Sequence, residues 1–222
     1  MIDIFSKFPQ YCESATNFWL HEPLNAITNL AFIIGAYYLF KLIKKEKLSM
    51  PLGLILLSLM IILGLGSLAW HSYRSLPTLL LDEIPIYIFI IFAGYYLTQT
   101  LTRSHKITLM ILASISAAYY LIFAYIPGIN ISNGVLKYIF ALLIFLVLST
   151  FIVKKFGSGY NFILSFSIFA VAIIFRIIDL FVCSNFPIGT HFVWHILVAM
   201  VMYLVSITIL RLHNKQSKSV SV

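Results

Sequence analysis

The chain has 222 residues, 61% of them hydrophobic and 10% charged, with a formal net charge of +8 and a mean hydropathy of +1.00. That much apolar surface cannot be folded away inside one core of a water-soluble globule, which leaves an integral membrane protein.

The opening stretch 1–8 lacks a basic region followed by an apolar core and a small-residue cleavage site, so no signal peptide is expected and the first span stays in the mature protein. Apolar runs long enough to cross the ~30 Å hydrocarbon layer as helices follow at 24–42, 51–71, 78–101, 107–126, 135–153, 160–183 and 190–210. The runs are continuous and rich in Leu, Ile and Phe, without the alternation of a membrane barrel, and lipid admits only helices or closed barrels. The expected fold is all-α, an integral membrane bundle of seven transmembrane helices. Short connections and the lack of an internal repeat predict a single domain over 1–222, with a short N-terminal segment at 1–22 and a polar tail at 212–222.

Basic residues set the orientation, because short Lys- and Arg-rich loops stay in the cytoplasm. Lys41, Lys44, Lys45 and Lys47 follow the first span, Arg103 and Lys106 the third, Lys154 and Lys155 the fifth, and Arg211, Lys215 and Lys218 the seventh; the other side holds Lys7, Arg74 and Lys137. The N-terminus is therefore expected outside and the C-terminus in the cytoplasm. Spread over loops at one face, with no basic domain or aromatic platform, these charges report topology and not a nucleic-acid partner.

In this orientation the second span ends outward at His71, the third starts near Asp82, the sixth ends at Asp179 and Cys183, and the seventh starts at His191. His191 and His195 are four apart and share a helix face. Alone the pair is a weak signal, but His71 joins it from another helix at the same depth. Three imidazoles suit Zn²⁺ and leave a fourth position open, the mark of a catalytic site. Ser67, one turn from His71, reaches towards that fourth position, although Gly64 and Gly66 beside it also fit a helix-packing role. A carboxylate at this depth is costly unless used, which makes Asp82 the candidate to orient or deprotonate a water held by the metal, with Glu83 as its competitor.

Asp179 and Arg176, three apart on the sixth span, are expected to pair in a structural or supporting role. Glu22, Asn25 and Asn29 share a face turned into the bundle, where their expected job is to satisfy buried polar partners. Trp19, Trp70 and Trp194 are read as an interfacial aromatic belt, and His21, His105 and His213 have no partner at ligand spacing. Cys12 and Cys183 both fall on the oxidising side, where a disulfide can persist, or they are two unrelated small hydrophobic residues; sequence supplies no Cα separation to decide.

The segments GLGSLAWH (64–71), LLLDEIP (79–85), DLFVC (179–183) and GTHFVWH (189–195), with Cys12-Glu13 and EPLNAITN (22–29), resemble the alkaline ceramidase family in order and spacing. That family belongs to a superfamily of seven-transmembrane metal-dependent hydrolases that also includes adiponectin-receptor-like proteins. The resemblance implies hydrolysis of a ceramide to a sphingoid base and a fatty acid, with Zn²⁺ on His71, His191 and His195, Asp82 activating water, Ser67 assisting the oxyanion, and a Cys12–Cys183 disulfide. Members with an N-terminal Ca²⁺ site use several acidic and amide side chains there; Glu13 and Glu22 match, whereas Gln10, Ser14 and Ala15 leave the site short of charge.

The leading expectation is thus a zinc-dependent intramembrane lipid amidase in a bacterial inner membrane, its site facing the extracytoplasmic side and its partner a ceramide-like lipid of the bilayer. A zinc-dependent hydrolase of lipid esters or phospholipid acyl groups, and a seven-helix lipid receptor or transporter that breaks no bond, are the alternatives. A haem protein fits poorly, since axial ligands come from opposite sides of the ring and Ser67 and Asp82 would be idle. A purely structural histidine cluster is the plainest competing reading.

Overall fold

In the computed structural model of the chain, the described residues are 10–13, 20–125, 135–156 and 160–220. They form eight helices and, among the described residues, no strand: α1 (Pro23–Thr28), α2 (Leu30–Glu46), α3 (Met50–Tyr73), α4 (Leu76–Thr102), α5 (His105–Tyr125), α6 (Leu136–Phe156), α7 (Tyr160–Val182) and α8 (His191–Val220). With α1 and α2 taken together as Pro23–Glu46, seven of them are long and apolar enough to cross a membrane. The expected all-α, seven-span architecture is what the chain adopts.

The first span is broken at Asn29 without a proline. The Thr28 hydroxyl donates to the Leu24 and Asn25 carbonyls, at 2.8 and 3.0 Å, and the Asn29 amide donates to the Asn25 carbonyl at 2.8 Å. These side chains compete with the backbone for its own acceptors, which is how Thr and Asn interrupt a helix.

α3 and α8 are the most enclosed spans and α5 the least, packing chiefly on α4. Outward positions stay apolar, as at Ile34, Ile91 and Phe181, so the bundle has the apolar exterior that lipid demands. Met60, Leu63, Leu97, Ile209 and Leu210 are buried between the spans.

α4 continues through Pro85, which has no N–H for the Leu81 carbonyl. That carbonyl lies against Gly66 of α3, where an added Cβ would overlap it. The two helices thereby touch backbone to backbone at the level of Ser67 and Asp82, the use to which small residues are put between membrane helices. Gly66→Ala is expected to lower the melting temperature, at a cost of about 1–3 kcal/mol for forced overpacking, checked by thermal unfolding in detergent.

The basic helix ends gather at one end of the bundle. Arg211 of α8 forks onto Glu46 at 3.0 and 2.6 Å, Asn214 donates to the Lys47 carbonyl at 3.2 Å, and Lys155 of α6 donates to the Leu101 carbonyl at 2.6 Å. α8 continues through the polar tail to Val220, with Arg211 and Asn214 tied to the end of α2. The predicted histidine site lies at the opposite end.

Candidate metal centre

His71, near the end of α3, and His191 and His195, in the first turns of α8, are all buried, at 0%, 1% and 3% exposure. Their ring centroids lie 5.2 Å (71 to 191), 4.7 Å (71 to 195) and 4.6 Å (191 to 195) apart. One nitrogen from each falls within 4.8 Å of the other two, near enough to close on one ion.

Each imidazole is aimed by a separate device. Glu22, just before α1, accepts a hydrogen bond from His71 Nδ1 at 2.5 Å, so Nε2 carries the lone pair. That Nε2 is buried and has no hydrogen-bond partner among the described residues. The Thr28 proton is directed to backbone carbonyls, so His195 Nδ1–H donates to Thr28 Oγ1 at 3.1 Å and its Nε2 carries the lone pair. A carboxylate or hydroxyl on the outer nitrogen is the usual way to fix the tautomer of a metal-binding histidine. His191 is placed through its backbone: Asp179 of α7 accepts from the N–H groups of Thr190 and His191 at 2.7 and 3.0 Å and so caps α8. Gly189 (φ +68°) is required at this turn, since a Cβ would collide with the Asp179 carboxylate and Cys12.

Asp179 also accepts from the Cys12 N–H at 3.1 Å, and Cys12 and Cys183 form a disulfide with Cα atoms 5.1 Å apart. The N-terminal segment is thus clasped onto the end of α7. Tyr11, next to the clasp, stacks on His191 with centroids 3.9 Å apart and planes at 17°. Burial pushes the Tyr11 hydroxyl above its ordinary pKa.

Ser67 donates its side-chain hydrogen bond to Asp82. Glu83 is drawn away to Lys137 of α6, with Nζ 2.6 Å from Oε1, which separates the two adjacent acids. Asp82, Ser67, His191 and His195 line one small polar cavity with Tyr11 and Arg176. A second, apolar cavity of about 120 Å³ between α4, α6, α7 and α8 shares Ile86, Tyr138, Trp194 and Val198 with it. From Ile86 to Leu97 along α4 it extends about 16 Å towards the opposite face.

Several sequence-level expectations are corrected here. Asp179 does not pair with Arg176, because both its oxygens are spent on the N–H groups of residues 12, 190 and 191. Trp70 and Trp194 are 0% and 5% exposed and form no interfacial belt; Trp70 lies against the Arg74 guanidinium and Trp194 walls both cavities. Trp19, Lys7, Ser14 and Ala15 lie outside the described residues. Tyr11, Thr28, Arg74 and Tyr138 belong to the site and were not singled out by sequence.

The donor set fits a metal ion: three buried neutral-capable nitrogens, one of them orphaned, beside a carboxylate and a hydroxyl. It does not fit Ca²⁺ at the N-terminal segment. Glu13 accepts from the backbone N–H groups of Leu24 and Asn25, both at 2.7 Å, and Glu22 is shared by His71, the Asn25 amide at 3.1 Å and Arg74 at 3.1 Å. Burial raises the Glu13 carboxyl, and pushes that of Glu22 up to about 7 despite the nearby Arg74 guanidinium. Among the described residues these oxygens already serve protein donors, and a calcium site needs six to eight oxygens.

A family model described as Ceramidase matches residues 9–221. No curated protein matches the chain.

Proposed function

Since the chain belongs to the ceramidase family, we propose that it is a zinc-dependent intramembrane amidase that cleaves a ceramide-like lipid into a sphingoid base and a fatty acid. The observation that carries the proposal is the convergence of His71, His191 and His195, two of which line a polar cavity that shares its wall with the long apolar one. These three would hold the ion, which when bound polarises an acyl carbonyl and acidifies water to a pKa of roughly 7.

The chain's own groups supply the rest. Hydrolysis joins a water oxygen to the carbonyl carbon and breaks the C–N bond, and a proton lost by the water must reach the departing nitrogen. Asp82, held by the Ser67 hydroxyl, would take that proton and return it. The apolar cavity suits a hydrocarbon chain, and its shared wall at Tyr138 and Trp194 sets the junction between chain and amide. The Cys12–Cys183 clasp and the stacked Tyr11 cover the site from the polar side. With the basic helix ends in the cytoplasm, the reactive centre faces the extracytoplasmic side of a bacterial inner membrane, and 1–222 acts as one domain.

The test is to incubate the purified, zinc-loaded chain with a panel of ceramides, other N-acyl lipids and chain-matched esters, and to identify the released fatty acid by mass spectrometry. Release from ceramide that stops on chelation is the expected result. Release from esters alone would move the assignment to an acyl esterase, and no release from any lipid would leave a receptor or transporter.

A further inference from the structure

Arg176 lines the cavity beside Asp82, and the proposed reaction has not yet used its chemistry. It lies on the membrane-spanning helix α7, 8% exposed, and a charge there is expensive unless it serves or is paired. Among the described residues it makes no ion pair with a carboxylate, and its Nε has no hydrogen-bond partner. The acid one turn away, Asp179, is committed to backbone N–H groups. What surrounds the guanidinium is aromatic: Tyr11, Tyr138 and Trp194 lie 5.6, 5.3 and 5.3 Å from it, and it hydrogen-bonds the Tyr11 hydroxyl. Its Nη1 is 3.3 and 3.5 Å from the two ring nitrogens of His191. A permanent cation at that spot opposes the binding of a metal cation, so a purely structural role would be better filled by an apolar side chain.

We infer that Arg176 is the anion-binding residue of this site, receiving the carbonyl oxygen as it becomes negative and then the carboxylate of the released fatty acid. The inference rests on the amidase reading above. Amide hydrolysis creates two anions in turn. When the water oxygen adds to the carbonyl carbon, the C=O electron pair moves onto oxygen; when that pair returns, the C–N bond breaks and the nitrogen takes the proton that the water gave up. The carboxylic acid so formed passes its own proton to the free amine and leaves as a carboxylate. Ser67, the other candidate donor, has its single proton directed to Asp82. Arginine offers five donors, keeps its charge at any working pH, and matches a carboxylate with its fork. The three rings hold the guanidinium and exclude water from it, so it is ready for an anion without first being freed from a salt bridge.

The test uses the full chain in detergent, stripped of metal by chelation, titrated with palmitic acid and with hexadecanol. Wild type is expected to bind the acid at least about tenfold more tightly than the alcohol. Arg176→Met should abolish that preference while leaving alcohol binding intact, and on reloading should take up zinc at least as well as wild type. Arg176→Lys, which keeps the charge and loses the fork, should retain a reduced preference; it also decides the matter if the methionine variant does not fold. If either variant binds the acid over the alcohol as strongly as wild type does, Arg176 is not the anion site. Failure of the amidase reading looks different: wild type would release no fatty acid from ceramide whatever its preference between acid and alcohol.

Discussion

Asp82→Asn is expected to lower ceramide turnover by about a hundred- to ten-thousandfold, the range typical of losing a general acid–base group, with zinc content unchanged. Asparagine has the same shape and can still accept the Ser67 hydrogen bond, so the contact between α3 and α4 at Gly66 is kept. What it cannot do is take a proton from water and return it to nitrogen. Glu83 is no substitute, because its carboxylate is held by Lys137 at 2.6 Å. Single-turnover rates alongside metal analysis of the same preparation separate loss of chemistry from loss of the ion. A variant that turns over within tenfold of wild type would remove Asp82 from the mechanism.

The second large effect is on the metal. His71→Ala leaves two imidazoles on a single helix, and the protein is expected to purify with at most trace zinc and no measurable hydrolysis. Glu22→Gln grades the same argument. Glutamine can still accept the His71 N–H bond, but it removes the charge that strengthens the imidazole as a ligand and that attracts the Arg74 guanidinium. Outer partners of this kind are worth about ten- to a hundredfold in metal affinity. Zinc should therefore be stripped from Glu22→Gln at correspondingly lower chelator concentration, with activity restored by added zinc. Full zinc retention by His71→Ala would show that the ion, if any, is held elsewhere.

The parts of this site that sequence reveals are those set by helical periodicity. His191 and His195 share a face because they are four apart, and Ser67 lies a turn from His71 for the same reason. Periodicity is silent on which helices touch and how each is rotated. The Arg176–Asp179 pair shows the difference: three apart on α7, the two side chains nevertheless go separate ways, because Asp179 finds the uncapped N-terminus of α8 and the N–H of Cys12. Orphan backbone N–H groups at a helix start are a stronger claim on a buried carboxylate than a neighbouring guanidinium that aromatic rings can hold. The Glu83 carboxylate is likewise engaged across helices, by Lys137 on α6.

Hydropathy alone decided that this chain lives in a membrane as a set of long helices, since unbroken apolar runs leave the backbone no other way to satisfy itself in lipid. Residue type and spacing decided which side chains can bind a metal. Only the assembled bundle decided that they do converge: Glu22 and Thr28 aim two imidazoles from the start of the first span, far away in sequence, Gly66 lets α3 and α4 come together, and the Cys12–Cys183 clasp lays Tyr11 over His191. Those are contacts between segments whose relative rotation and depth depend on every other packed surface, and no local pattern in the chain encodes them.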